Sequence, residues 1–442
     1  MSFLTALTLI IIFLASKIFF FGIEPLYAAS LLGNLDLLLY VILFILGIIS
    51  FSRNYIRKDK KQYGLSVDKN TLFILFPLIL VIILSIYLNL NKQSLDWDAV
   101  ALYDARAKFL ISGINFTEMA SLSAFDNLNK YYYTLYPPFT SLIHYFWYQH
   151  ISFMPISIIY SIFLILLGFV YYQFLKNRIK YPLPFVGVLI LLSNKNIFSL
   201  SLIEYTNLPF TLYVTAGILI ITEYLRTREN WKLLFGVILV SASQWIRFLE
   251  PIWLIITISL LITSVVNKKV KSNLLIILLL TVLGLVQNRS WAYFLGNIVM
   301  SPQIFSLSII NIMDGILGIF TGAFISILIY TFVSWGISLL IHICSLININ
   351  GDYNINSKVE SVFFKSIIVA SIFYYLFGMY YTSFIFDWWR ESSGSLTRSS
   401  SFLIPLSIYL LIVNFQSVLS LNKIKENVRK SGFKKIFYNA LN

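Results

Sequence analysis

The sequence predicts an all-α fold: a polytopic transmembrane helical bundle of about 12 spans, with an outer-face loop of short interfacial helices. Three observations predict it. Hydrophobic residues make up 58% of the 442 residues. Charged residues make up only 12%, about half the ~25% usual for a soluble domain. Apolar runs of ~20 residues, the length of one bilayer crossing, recur along the chain, and mean hydropathy is +0.81. So few charges cannot cover a water-exposed surface, which excludes a large soluble core.

In chain order, spans are expected at 3–23, 30–51, 70–90, 152–175, 182–203, 208–225, 232–249, 251–266, 272–289, 315–345, 361–381 and 401–421. The 315–345 run exceeds one perpendicular crossing, so it is expected to tilt, kink or begin at the interface. Met1 leads into an apolar segment with no small-residue cleavage site in reach, which predicts an uncleaved first span. The single cysteine, Cys344, rules out a disulfide framework, and His144, His150 and His342 have no metal-ligand spacing.

The formal net charge is +14. Its lysines and arginines cluster between spans: Arg53, Arg57, Lys58, Lys60 and Lys61; Lys176, Arg178 and Lys180; Arg226, Arg228 and Lys232; Lys268, Lys269 and Lys271; and a tail with Lys423, Lys425, Arg429, Lys430, Lys434 and Lys435. Threading the spans alternately puts all of them on one side. The positive-inside bias makes that side cytoplasmic, with both termini, and explains the charge without a nucleic-acid partner.

The opposite face then receives residues 91–150, the corner 204–207, the corner 247–251 and the segments 289–314 and 383–400. The stretch 92–138 is the longest polar interruption of the chain, and aromatic and apolar residues recurring through it suggest order. In Asp96-Trp97-Asp98, either carboxylate suits a general base toward a hydroxyl, a divalent-cation ligand, or simply a helix N-cap. A helix is expected over 98–111, with Asp98, Leu102, Ala105, Arg106 and Phe109 on one face and Asp104 and Lys108 four apart on another. Arg106 and Lys108 suit a phosphate or act as headgroup anchors with snorkelling stems. Tyr131, Tyr132, Tyr133 and Tyr136 read as an interfacial belt or a sugar and isoprenoid contact surface. Pro137-Pro138 starts a short interfacial helix over 139–147.

Glu204 stands at the end of two spans, where a carboxylate is either costly and functional or a water-exposed loop residue. Arg247, after a long apolar helix, offers a planar fork for phosphate oxygens or closes the corner by pairing with Glu250. Arg390 and Arg398 are cations on the face that the positive-inside bias depletes; Arg390 can pair with Asp387 or Glu391, whereas Arg398 directly precedes the last span.

These residues, in this order, carry a resemblance. Trp97-Asp98-Ala99, Tyr103 and Arg106-Ala107-Lys108 resemble the first outer loop of bacterial GT-C glycosyltransferases, in particular the dolichyl-phosphate-mannose-mannosyltransferase-like subgroup. Tyr136-Pro137-Pro138-Phe139 is similar to that family's Tyr-Pro-Leu element, Glu204-Tyr205-Thr206-Asn207-Leu208-Pro209 to its acidic corner, and Arg247 to a basic residue after the next hairpin. The resemblance covers about residues 70–260. Asn207 stands where the family pattern has an acidic residue, and two spans precede the usual first one.

The resemblance implies a GT-C-like layout: two extra N-terminal helices in 1–69, a catalytic module over 70–290 that includes the loop 91–150, and C-terminal helices with a basic cytoplasmic tail over 291–442. It also implies an inverting membrane glycosyltransferase in a prokaryotic plasma (inner) membrane, acting on the extracytoplasmic face. The implied partners are a polyprenyl-phosphate-linked sugar donor, a glycan, lipid or protein acceptor, and membrane lipids. Asp98 is then the base and Asp96 its second or a metal partner. Lys108, Arg106, Arg247 and Arg398 bind the carrier phosphate, and Trp97, Tyr103, Tyr136, Glu204 and Asn207 contact substrate. The sequence fixes no cofactor; a divalent cation, Mg or Mn, would use Asp96 or Asp98. The competing readings are a transporter or flippase of lipid-linked sugars, favoured by the interruption Ser193-Asn194-Lys195-Asn196, and a polysaccharide polymerase or ligase.

Overall fold

A computed structural model describes residues 2–56, 69–121, 136–151, 153–248, 250–299, 322–347, 355–385 and 393–416. Among these the chain is helical throughout, with no strand. Tyr131, Tyr132, Tyr133, Asp387, Arg390 and Glu391 lie outside the described residues, as do Arg57, Lys58, Lys60, Lys61 and the basic tail.

The N-terminal part forms α1 (Phe3–Ile23), the short α2 (Pro25–Ala29) and α3 (Leu31–Ile56). Then come α4 (Lys69–Leu90), α5 (Ala105–Ile111), α6 (Phe116–Ser121) and α7 (Phe139–His150). The remaining helices are α8 (Ile158–Leu175), α9 (Leu183–Ser193), α10 (Lys195–Leu200), α11 (Asn207–Thr227), α12 (Asn230–Ile246), α13 (Ile252–Val266) and α14 (Val270–Val299). They are followed by α15 (Gly322–Trp335), α16 (Ile337–Leu346), α17 (Ile355–Ile385) and α18 (Leu396–Gln416).

Seven of these, α1, α3, α8, α11, α14, α17 and α18, contain a segment long and apolar enough to cross a membrane. This is a multi-pass helical membrane protein. The expectation of about 12 spans is only partly matched among the described residues. The bent pair α15–α16 adds an eighth if it counts as one crossing. The 182–203 and 251–266 segments form shorter apolar helices, 232–249 forms the 17-residue α12, and 70–90 forms the 22-residue α4, apolar over Leu75–Leu90.

The shortfalls have physical causes. The 182–203 run is cut at Asn194, whose side chain accepts from the amides of Asn196 and Ile197 and so caps a new helix. The 315–345 run turns through 93° at Gly336. There φ is +48°, a backbone state open to glycine and strained for other residues. Ser241, Ser243 and Gln244 sit inside α12 and dilute its apolar character.

α11 is the axis of the bundle, with every residue from Asn207 to Leu225 buried. It packs as an antiparallel hairpin on α12. Gly217 and Gly236 permit the approach: a Cβ on Gly217 would lie 2.8 Å from the Val240 nitrogen. Without a hydrophobic drive between helices in lipid, such small-residue contacts supply the packing attraction. α3 and α14 cover α12, α8 covers α11, and α13 packs on α14 and α17.

Candidate functional site

The ends of α4, α10, α12 and α17 meet the starts of α11 and α18 at one end of the bundle, opposite the end that carries Lys176, Arg178 and Lys180. The segment after α4 lies against this end. Residues Ala99–Asp104 form a π-helical turn that runs directly into α5. A plain α-helix over 98–111 was expected, and the π turn corrects it. One residue more per turn shifts the register, so Ala101, Leu102, Tyr103, Asp104, Arg106 and Ala107 are all buried and no single amphipathic stripe survives. The short helix after Pro138 is present as α7, as the sequence predicts.

The corner between α10 and α11 joins the predicted residues. Tyr205 accepts a hydrogen bond from the Asp98 backbone amide, and its ring lies 5.1 Å from the Arg398 guanidinium. Burial raises the Tyr205 pKa, and the neighbouring Asp98 charge adds to this. The next residue, Thr206, accepts from Arg247 Nη1 at 3.4 Å and donates to the Tyr103 hydroxyl. Asp98 and Arg247 thus flank consecutive residues of one corner. Tyr103 is enclosed by Tyr136 at 6.0 Å and Tyr205 at 6.5 Å between ring centroids. Burial, ahead of the neighbouring Tyr136, pushes its hydroxyl pKa well up.

Arg247 is held by Glu250 at 2.6 Å, the corner-closing pair that the sequence allowed, and by Ser399 Oγ at 3.0 Å. Tyr375 donates to the other Glu250 oxygen at 3.2 Å. Burial works against the Arg247 charge, but Glu250 together with Tyr136, Tyr103 and Tyr375 outweighs it and holds the pKa above the ordinary arginine value. Its Nε is buried with no partner among the described residues. Arg106 is buried too: Nε donates to the Leu102 carbonyl at 2.9 Å and Nη1 to the Tyr136 carbonyl at 2.7 Å. Its Nη2 has no partner, and among the described residues no carboxylate pairs with it. Burial pulls its pKa down to about 10, partly offset by Tyr103 and Tyr136, so it remains charged at neutral pH.

The other predicted residues are placed differently. Asp96 is paired with Lys92 at 2.7 Å. Lys92 also bonds Glu204 Oε2 at 2.7 Å and the Leu202 carbonyl at 2.6 Å. Glu204 is fully buried with Oε1 unpartnered, which corrects the reading of a water-exposed loop residue. Asp98 makes no side-chain cap bond, so capping does not account for it. Lys108 is 67% exposed and its ammonium is 2.7 Å from Asp104. Trp97 is 76% exposed, while Asn207 is buried at the first position of α11. Among the described residues no group of three or more His, Cys, Asp or Glu is arranged to hold a metal ion.

Several contributors escaped the sequence reading. Lys92 carries an i,i+4 signal toward Asp96, but its bond to Glu204 spans 112 positions. Thr206 and Ser399 are ordinary hydroxyls in sequence. His144 is buried beside Asp104, with Nδ1 4.0 Å from Oδ1 and Nε2 3.0 Å from the Tyr160 hydroxyl. Burial lowers its pKa to about 4, against the pull of Asp104, so the ring is neutral at physiological pH. Tyr148 donates a short bond to the same carboxylate.

Comparison of the chain with protein-family models, curated proteins and solved structures found no match.

Proposed function

We propose that the chain is an inverting GT-C-type glycosyltransferase that moves a sugar from a polyprenyl-phosphate carrier to a hydroxyl acceptor on the extracytoplasmic face. One observation carries the reading. Two buried guanidinium groups, Arg106 and Arg247, each keep an unpartnered nitrogen beside the Tyr103–Thr206 corner that also touches Asp98. An unpaired buried donor is costly, and an incoming phosphate oxygen repays that cost with a charge-assisted bond.

The chemistry follows from this. The acceptor oxygen bonds to the anomeric carbon as the bond from that carbon to the phosphate oxygen breaks. The carrier leaves as polyprenyl phosphate, and negative charge grows on its phosphate. Arg106 and Arg247 stabilise that charge in a water-poor setting, with Arg398 close by against Tyr205. Asp98 takes the acceptor proton. Asp96 and Glu204, held by Lys92, keep the 204–207 corner in place rather than react.

The test uses membranes with labelled polyprenyl-phosphate sugars and scores released polyprenyl phosphate. Asp98→Asn should lower transfer by about 10²- to 10⁴-fold at normal expression; wild-type transfer by that variant removes Asp98 as base. A lipid-linked sugar flippase is the second reading, favoured by the helix broken at Asn194 and the 93° bend at Gly336. Translocation without transfer in liposomes would select it.

A further inference from the structure

The two N-terminal helices hold a charge pair that the proposed transfer does not use. Lys17 lies six residues before the end of α1, roughly 9 Å into the helix at 1.5 Å per residue. Its ammonium is 2.5 Å from Asp36 Oδ2 on α3 and 2.5 Å from Gln287 Oε1 on α14, and both charges are fully buried. Tyr27 and Ser290 donate to the same carboxylate at 2.8 and 2.9 Å. Ionised groups at membrane depth are expensive and persist where they are paired and have a role.

Two routes lead from this pair to the arginines. Lys17 lies 4.2 Å from the Trp245 ring centroid, and Trp245 Nε1 donates to Ser16 at 3.2 Å. Trp245 is two residues before Arg247. Along the other route, Phe20 packs edge-on to Trp245 and to Phe116 at 5.2 and 5.4 Å. At the end of α1, the buried Glu24 accepts from the Phe116 amide and, at 2.8 Å, from the Thr117 hydroxyl. Phe116 in turn lies 5.3 Å from the Arg106 guanidinium. Each arginine of the proposed anion cradle is therefore braced by a different part of the same hairpin.

We propose that the α1–α3 hairpin is the positioning element of the anion cradle. The Lys17–Asp36 pair fixes Trp245 and through it Arg247, and Glu24 fixes Phe116 and through it Arg106. Lys17, Asp36 and Glu24 are positioning residues that touch no reacting atom. The proposal rests on the transfer reading only for the identity of the anion.

The test uses the full chain in phosphatidylcholine nanodiscs, with farnesyl phosphate titrated calorimetrically and hydrogen exchange followed over 99–121 and 243–248. The double change Lys17→Met with Asp36→Asn removes both charges together, so neither is left buried alone. It should weaken farnesyl phosphate by about tenfold and raise exchange in 243–248, while the thermal midpoint stays near that of the wild type. Glu24→Ala should raise exchange in 99–121 instead, and it carries the test if the double variant does not fold. The exchanged pair Lys17→Asp with Asp36→Lys should regain part of the affinity. Wild-type affinity and exchange in both variants, or lost stability with unchanged affinity, overturn the proposal. A wild-type protein that binds no prenyl phosphate sinks the transfer reading instead, and the exchange data then decide the hairpin alone.

Discussion

Two clusters of buried charge sit at opposite ends of the bundle and differ in one respect. At the basic end, Arg178 bonds Glu223 and lies 3.2 Å from Glu360, Lys232 lies 3.3 Å from Glu223 and 3.2 Å from Glu229, and Tyr409 donates to Glu360 at 2.7 Å. Among the described residues, this cluster shows no buried polar atom without a partner. At the other end, Arg106 and Arg247 each show one. The closed cluster ties the end of α8 to α11, α12, α17 and α18, and its guanidinium and ammonium nitrogens are engaged within the protein. The open cluster spends stability on donors that the protein itself does not use. A buried ion network alone is therefore a poor marker of function; unspent donors on its cations are the better one.

The largest expected effect breaks the open cluster. Arg247→Lys keeps a cation for Glu250 but loses the planar fork. Released polyprenyl phosphate should fall by about 10²- to 10³-fold, as for loss of one transition-state donor, with little change in thermal midpoint. Arg178→Met is the matching break in the closed cluster and should show the opposite pattern. Leaving Glu223 and Glu360 short of a counter-ion should cost about 3–5 kcal/mol of stability by thermal denaturation. Transfer per folded molecule should stay near wild type. Equal losses of stability and transfer in both variants would erase the contrast.

The contrast also explains what the sequence could reveal. The span predicted at 3–23 is found as Phe3–Ile23, and the proline-started helix as α7, because apolar run length and proline's fixed φ are local properties. Pairs close in sequence were equally legible: Arg247 with Glu250 and Asp104 with Lys108. What escaped depends on distant contacts. Lys92 meets Glu204 across 112 positions and Glu24 meets Phe116 across 92. The π turn escaped for another reason: the same residues satisfy i+4 or i+5 bonds, and packing against α7 chooses between them.

A smaller effect tests the joint between the N-terminal hairpin and the open cluster. Burial raises the Glu24 pKa to about 7 despite the bonds it accepts from Thr117 and Phe116. The folded form thus binds a proton more tightly than the unfolded chain. Its stabilising share is complete below the unfolded value near 4.5 and is lost as pH rises through about 7. Glu24→Gln keeps a neutral side chain at every pH. Between pH 5 and 8 the wild-type unfolding free energy should fall relative to this variant by an amount on the order of 2–3 kcal/mol, read from thermal denaturation curves. Parallel curves would show that Glu24 does not titrate in this range.

The smallest effect is the one that sharpens the boundary of the open cluster. Lys108 belongs with Arg106 by sequence, since both stand in the Arg106-Ala107-Lys108 motif and both are cations of the same short helix. By geometry they part. Arg106 is buried with no carboxylate partner among the described residues, whereas Lys108 is 67% exposed and its charge meets Asp104 at 2.7 Å. Water screens such a pair, so it is worth roughly 0.2–1 kcal/mol. Asp104 keeps the Tyr148 bond when the lysine is gone. Lys108→Ala should therefore change transfer by less than about threefold, in line with that modest energy. A loss as large as that of Arg247→Lys would move Lys108 onto the phosphate. It would also mean that Asp104 releases the lysine when the donor binds, and Lys108→Ala should then lower donor affinity in parallel with transfer.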